Sequence, residues 1–291
     1  MEKNSKLDKR VLSELKNKTV LITGGAGSVG TALTKKILEY PVKVVRVLDI
    51  DEHALFKLKR SINDKRLRLL LGNILDRDRI EMAGSNADII IHTAAIKNIE
   101  ISEFNPIETI DVNINGTVNM IKMTLKNKPK IFLNISTDKA AEASTLYGTT
   151  KHIGEKLISW AGWHLSHTKF ASIRFGNVIE TRGNVFEVWD EEKKANKPLT
   201  ITHPSMKRYF FHIEEAIDFI LQSLLLANEG EIFIPKMKIY NIRDIAKKIS
   251  DNHKIIGLRH GEKLQEILLT DDEKSRAEER KDMWIIKYRI K

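Results

Sequence analysis

One stretch limits the possible folds more than any other. Thr19–Thr23 is a β-branched apolar run that empties into Gly24-Gly25-Ala26-Gly27-Ser28-Val29-Gly30, and a helical pattern over 31–40 follows until Pro41. β-Branched residues favour strands, while glycines allow a tight turn into a helix whose first N–H groups lack partners. The same beat continues along the chain. Apolar strands are expected at 42–50, 67–71, 87–92, 130–135 and 170–175, with helices at 52–62, 112–126 and 147–160 between them. Strands this continuously apolar are covered on both faces, so the pattern predicts an α/β fold with a doubly wound parallel sheet. Beyond Asn177 the alternation loosens around Pro198 and Pro204, with one helix at 213–227. We therefore expect a leader over 1–17, carrying Leu7, Val11, Leu12 and Leu15 at near-helical spacing. A dinucleotide-binding part should follow over 18–176, then a smaller, partly helical substrate part over 177–291, both sharing one cleft.

Composition mainly excludes. The 291 residues are 42% hydrophobic, ample for a core, and contain no Cys, which removes disulfides and thiolate metal sites. No apolar run approaches the ~20 residues that span a bilayer, and the charged first 18 residues have no signal-peptide core. A cytoplasmic protein is the expectation. The +10 net charge suits an anionic partner, but the basic residues are dispersed, and even 57–68 mixes in Asp64. Solvated faces explain that better than a nucleic-acid patch. The histidines show no H-E-x-x-H spacing, so no metal is expected.

Two spacings carry chemistry. The turn Gly24-x-x-Gly27-x-x-Gly30 would bring backbone N–H groups against a pyrophosphate at the positive end of a helix, although many plain turns read the same. What singles it out is Asp49, ending the next strand about 20 residues on, where a carboxylate would bond a ribose 2′-hydroxyl. Asp49 favours NAD over NADP by repelling a 2′-phosphate; Arg46 points the other way, from within the strand. The second spacing is Tyr147-x-x-x-Lys151, which puts both side chains on one helix face. A nearby cation lowers a phenol's pKa and makes it a base. Common alone, this pair gains weight from Ser136-Thr137-Asp138-Lys139, which ends a strand of the same sheet.

With these motifs the chain resembles the extended short-chain dehydrogenases/reductases, and more narrowly the nucleotide-sugar 4,6-dehydratases of polysaccharide biosynthesis that act on UDP-N-acetylglucosamine. The similar stretches are TGGAGSVG (23–30), LDIDEHAL (48–55), HTAAIKN (92–98), the N-x-x-G-T beginning at Asn113, STDKAA (136–141), LYGTTK (146–151), RFGNV (174–178), TRG (181–183) and GLRHGEK (257–263). They stand in family order over residues 18 to 268.

The resemblance implies a set of roles. Gly24, Gly27, Ser28, Val29, Gly30, Asp49, Asn73, Ile74, Ala94, Ala95, Lys97 and Asn113 would hold the dinucleotide, together with Tyr147 and Lys151. Tyr147, assisted by Thr137 and Lys151, would take the sugar's 4-hydroxyl proton. Lys139 would be the base at carbon 5 and Asp138 the acid at carbon 6. A lysine is a base only if its pKa falls, and burial beside Lys151 is expected to lower it. Lys97, Asn98, Asn177, Arg182, Thr202, Met206, Arg208, Arg259 and Glu262 would line the UDP-sugar, arginines suiting a diphosphate through paired hydrogen bonds. A homo-oligomer is implied as well.

The sequence departs from the family in places. Lys97-Asn98-Ile99-Glu100 replaces Lys-His-Val-Pro, Glu142-Ala143 replaces Asn-Pro, and His260 replaces Pro. The first two flank the expected pocket and leave the sugar open. Tyr147, where retaining relatives often carry Met, tilts the outcome at carbon 5 towards inversion. Trp160 and Trp163 read as core or subunit contact. A UDP-sugar 4-epimerase, needing Tyr147 and NAD but not Asp138 or Lys139, is the alternative enzyme; a non-catalytic dinucleotide-sensing scaffold is the alternative outside catalysis.

Overall fold

The structure, a computed structural model, describes residues 2–259 and 261–287, so His260 lies outside the described residues. Six strands open the chain: β1 (Thr19–Thr23), β2 (Val44–Asp49), β3 (Leu67–Leu71), β4 (Ile89–His92), β5 (Ile131–Ile135) and β6 (Lys169–Ile173). Helices α1 (Glu2–Leu15), α2 (Ser28–Leu38), α3 (Glu52–Ser61), α4 (Arg77–Gly84), α5 (Ile99–Phe104), α6 (Pro106–Ile110), α7 (Gly116–Asn127) and α8 (Leu146–His164) precede and separate them. The rest supplies β7 (Asn177–Val178), α9 (Val185–Lys194), β8 (Leu199–Ile201), β9 (Lys207–Phe211), α10 (Ile213–Leu224), β10 (Glu229–Pro235), β11 (Lys238–Asn241), α11 (Ile242–Lys247), β12 (His253–Ile255), α12 (Asp271–Arg276), β13 (Ala277–Glu279) and β14 (Met283–Ile286).

The main sheet has the order β13-β14-β10-β6-β5-β4-β1-β2-β3. From β3 to β10 every pairing is parallel, and the order reverses between β1 and β4. This is the doubly wound, Rossmann-type sheet, and its switch point is where such folds bind ligands. Alternation within β1 divides the core: Val20 and Ile22 pack with α1, α2, α3 and α10, while Leu21 faces the opposite side with α4, α7 and α8.

The structure adds detail to the expected division of the chain. The leader's α1 buries Val11 and Leu15 completely in the first core. From the part beyond 177, α10 joins that core, and β10, β14 and β13 complete the main sheet. What stands apart is a small lobe, sheet β11-β9-β7 and pair β12-β8, closed over Trp189, Leu199, Ile201, Met206, Phe210 and Ile242. The helix expected over 112–126 starts earlier, as α6, passes through a π-helical turn at Asp111–Asn115, and becomes α7, with α5 a separate helix before it. A further helix, α4, had no apolar stripe to announce it. Asp76 caps it by accepting from the Arg79 N–H, and only Ile80, Ala83 and Gly84 are buried.

Among the described residues no helix is long and apolar enough to cross a membrane, and no His/Cys/Asp/Glu group could hold a metal ion. Trp160 and Trp163 are 45% and 47% exposed, so neither is core.

Candidate active site

The parallel strands deliver their carboxyl ends to one edge, where the site assembles. After β1, Gly24 has φ +64°, and a Cβ there would lie 2.6 Å from the backbone of Ala94; a Cβ on Gly30 would lie 2.4 Å from Gly25 Cα. Both are glycine because the backbone passes too close for anything else. Gly27 differs: its Cβ would meet only the Gly24 carbonyl oxygen, at 3.1 Å, and open space beyond. Gly27 is also the N-cap of α2 and supplies no side-chain cap, so Ser28, Val29 and the first turn keep N–H donors for an anion. Asp49, ending β2, accepts from the Ala26 N–H through Oδ2 at 2.9 Å and the Asp51 N–H through Oδ1 at 3.1 Å. This fixes the carboxylate beside the turn. Arg46 is committed elsewhere, donating to the carbonyls of Ala83 and Ser85 at 2.8 and 2.5 Å.

Other residues expected at the dinucleotide make contacts within the chain. Asn73 Oδ1 accepts from the Leu75 N–H at 2.9 Å, and Ile74 is buried against Gly116, where a Cβ would come within 2.5 Å. Ala94 and Ala95 are half-buried in the loop after β4. Asn113, buried in the π-helical turn, accepts from the Ile96 N–H at 2.8 Å and donates at 2.9 Å to both the Ile96 carbonyl and Thr150 Oγ1. It ties that loop to α8. Its side chain is committed to these bonds.

β5 runs into a single 3₁₀ turn, Asp138–Ala140, capped by Thr137. Thr137 Oγ1 donates to Asp138 Oδ1 at 3.0 Å, and Lys139 Nζ donates to the same oxygen at 3.0 Å. The Asp138 side chain has no exposure, and its Oδ2 is buried without a partner. Buried polar atoms in folded proteins are nearly always paired, so this unpaired carboxylate oxygen, toward which a Cβ on Gly176 would come within 3.3 Å, is a feature that stability alone does not explain. α8 begins against this turn: a Cβ on Gly148 would lie 2.5 Å from the Lys139 carbonyl oxygen, so glycine lets Tyr147 come alongside.

The electrostatics correct two expectations. Burial pushes the Tyr147 phenol up; the Lys139 charge and the Thr137 hydrogen bond oppose this without overcoming it. The cation acting on Tyr147 is thus Lys139, whereas Lys151 sits by His92 and Glu155. Burial lowers Lys151 to about 8, with Glu155 resisting. Lys139 goes the opposite way from its expected fall. Burial lowers it, but Asp138 and Glu266, whose Oε1 lies 3.9 Å away, together raise it above the ordinary lysine value. His92, buried between Thr23 and Thr117, is pushed down to about 3 by burial and Lys151, so it is neutral and structural.

The expected UDP-sugar residues divide. Arg208, buried, donates to the carbonyls of Lys207 and Leu264 and pairs with Glu262 at 3.4 Å; Glu262 accepts from the Arg259 N–H at 3.2 Å. These three stand together. Thr202 donates to the Met206 sulfur at 3.1 Å, but Met206 belongs to the small lobe's core, not to a binding surface. Asn98 is the N-cap of α5, its Oδ1 taken by the Ile101 N–H, and Asn177 Nδ2 donates to the Tyr209 carbonyl. Arg182 lies nearer the cofactor side than expected: its guanidinium donates to the Ala26 carbonyl at 2.7 Å and its N–H to Ser28 Oγ at 3.0 Å. Lys97 Nζ donates to the Arg182 carbonyl at 2.8 Å, closing that loop over the glycine turn.

Sequence reasoning missed two features. One is Glu266, buried beside Lys139. The other lies beneath Tyr147 and Lys151, where fully buried Arg174 pairs with Glu155 at 2.6 Å and Glu273 at 2.8 Å; Ser136 Oγ donates to Glu155 at 2.6 Å. Arg174 stood in a motif, but nothing local announced its partners.

A doubly wound sheet with this glycine turn, a capped Thr-Asp-Lys turn and a Tyr-x-x-x-Lys helix is the arrangement of an extended short-chain dehydrogenase/reductase. The chain belongs to the polysaccharide biosynthesis protein family, which it matches over residues 20–288. It is 37% identical over 286 residues to an uncharacterized membrane protein of Methanocaldococcus jannaschii, covering 93% of this chain and 86% of that one. It is 36% identical over 280 residues to a Campylobacter jejuni UDP-N-acetylglucosamine 4,6-dehydratase (inverting), covering 94% and 84%, and 33% identical over 282 residues to a Rickettsia rickettsii UDP-glucose 4-epimerase, covering 93% and 83%. Among solved structures, Pen from Bacillus thuringiensis superimposes with a TM-score of 0.90 at 35% identity, over 94% of this chain and 89% of that one. A Streptomyces venezuelae dTDP-glucose 4,6-dehydratase with NAD bound shares the fold, with a TM-score of 0.79 at 18% identity over 86% and 88%.

Proposed function

We propose that this chain is an NAD-dependent UDP-N-acetylglucosamine 4,6-dehydratase that inverts carbon 5, making a 4-keto-6-deoxy nucleotide sugar for glycan assembly. One observation carries the reading: the buried Asp138–Lys139 pair, 3.0 Å apart, at the strand end beside Tyr147. Chemistry confined to carbon 4 has no use for it. The Campylobacter relative supports the same assignment.

The open face at Gly27 fits a pyrophosphate, and Asp49 fits an unphosphorylated ribose, with Arg46 engaged elsewhere. When bound, the dinucleotide takes a hydride from carbon 4 and returns it to carbon 6. Tyr147, beside Thr137, would take the 4-hydroxyl proton as a phenolate, a form that burial opposes and that the positive charge of a bound oxidised dinucleotide would favour, and the resulting ketone acidifies the carbon 5 proton. Lys139 Nζ takes that proton as the carbon 6–oxygen bond breaks, and Asp138 gives its proton to the departing oxygen, which leaves as water. One proton moved along the 3.0 Å contact turns the resting ammonium–carboxylate pair into an amine and a carboxylic acid, so both groups are armed together. Excluding water from the site favours that neutral pair over two buried charges. Arg208 and Arg259 would hold the diphosphate, with Glu262 positioning both through its contacts at 3.4 and 3.2 Å. We also propose a homo-oligomer, with Trp160, Trp163, Phe104 and Ile107, all exposed on α5, α6 and α8, at the subunit contact.

The second reading is a 4-epimerase, favoured by the Rickettsia relative and requiring only Tyr147, Thr137 and the dinucleotide. NMR analysis of UDP-N-acetylglucosamine and UDP-glucose incubated with the enzyme separates them. A 4-keto-6-deoxy sugar supports dehydration, a 4-epimer supports the second reading, and unchanged sugars with bound NAD would leave only a sensing scaffold.

A further inference from the structure

Beyond the Thr-Asp-Lys turn and Tyr147, a fourth element reaches the acid–base pair. The segment around 261–266 is fastened to β9 by a bridge between Lys207 and Gln265 and by the Lys207 N–H to the Leu264 carbonyl at 2.7 Å. It is fastened to the loop before α8 by Ser144 Oγ, which donates to the Gly261 carbonyl at 2.7 Å; Gly261 itself has φ +72° and no room for a Cβ against Ser144. Held at both ends, the segment buries Glu266 with Oε1 3.9 Å from Lys139 Nζ. The ammonium therefore has two carboxylates within 4 Å, Asp138 and Glu266. A buried carboxylate is costly, and one brought in from over a hundred residues away needs a reason beyond stability.

We propose that Glu266 is a positioning residue for the dehydration: from 3.9 Å it shares the Lys139 ammonium with Asp138 and sets the pH at which that lysine is released as a base. This rests on the dehydratase reading for its purpose, but not for its test. The groups facing Lys139 are Asp138 from its own turn, Glu266 from the fastened segment, Arg208 from β9 and Tyr147 from α8; those facing Glu266 are Lys139, Asp138, Arg208 and Lys263. Both carboxylates favour the charged lysine, while burial and Arg208 oppose it. Burial raises Glu266 itself. Removing its charge leaves Lys139 with one anionic partner in an unchanged low-dielectric site, and opposite charges at this range shift a partner by roughly 1–3 pH units.

The test is a direct titration of Lys139 in the full-length protein, following the ε-carbon NMR signal of ¹³C-lysine-labelled enzyme, assigned by its loss in Lys139→Arg. Glu266→Gln should lower the Lys139 midpoint by about 1–3 units. Glu266→Asp, whose shorter side chain keeps the charge, should lower it less and serves if the Gln variant does not fold. In the same variants, the pH at which solvent deuterium enters carbon 5 should fall with the midpoint, which a merely structural role would not move. An unmoved Lys139 midpoint in folded Glu266→Gln overturns the proposal, as does a midpoint that falls equally in both variants. If the wild type exchanges nothing at carbon 5, the dehydratase reading fails, while the titration still decides the Glu266–Lys139 coupling.

Discussion

Replacing Arg174 by Met tests whether the floor of the site is held by charge. Arg174 has no exposed surface and gives Glu155 bonds of 3.0 and 2.6 Å, Glu273 two bonds of 2.8 Å, and the Leu268 carbonyl one of 3.0 Å. Methionine fills much of the space and supplies none of these bonds, leaving two carboxylates facing each other with 1% and 8% of their side chains exposed. Breaking a buried pair from one side costs about 3–5 kcal/mol. For a chain of 291 residues the unfolding entropy is about 0.6 kcal/mol/K, so the melting temperature should fall by roughly 5–8 °C. Acid adds a second signature. Glu273 is buried, which alone would raise it, but Arg174 holds it below its ordinary 4.5. Its contribution is therefore present above that pH and lost as pH falls through the lower folded value. Without Arg174, acidification neutralises repelling carboxylates, so the variant should lose less stability than wild type below about pH 4.5. Thermal and denaturant unfolding between pH 3 and 8 measure both effects. A melting temperature within about 1 °C of wild type, with a parallel acid limb, would refute the reasoning.

Three further outcomes are expected. Gly27→Val, which projects into the open face at the α2 N-terminus, should abolish NAD binding in a fluorescence titration while the protein stays folded. Asp49→Ser should narrow the preference for NAD over NADP, and should weaken NAD itself because the Ala26 N–H loses its carboxylate; a wild type already preferring NADP would contradict this. Lys139→Ala should still oxidise carbon 4, seen as NADH absorbance, yet lose carbon 5 deuterium exchange by roughly 100- to 10,000-fold.

The sheet was legible because β1 and β4 are buried along their whole length, which makes a strand apolar at every position. The glycine turn was legible too, since close backbone approach leaves no alternative residue. α4 was not, because a short helix held by a cap and two apolar contacts has no stripe. The different settings of Met206 and Arg208 were not legible, because residues two positions apart on one segment can face the small lobe's core and an ion pair with Glu262 respectively. The charge state of Lys139 was unreadable for a different reason. Local sequence shows Asp138, but Glu266 adds to its effect, and no spacing rule links a lysine to a carboxylate that topology alone brings near.

The buried arginine has a further consequence, for how the chain is made. Arg174 and Glu273 are 99 residues apart, and β6 obtains its neighbour β10 only after β7, α9, β8, β9 and α10 have been synthesised. At roughly 5–20 residues per second, a ribosome needs about 5–20 s between exposing that guanidinium and supplying its second carboxylate. During this interval the nascent first half carries an open sheet edge at β6 and an incomplete ion cluster under the catalytic helix. The site-bearing half therefore matures only once the C-terminal strands dock, and a chain stalled before residue 271 should be a client for chaperones and proteases instead of a working half-enzyme.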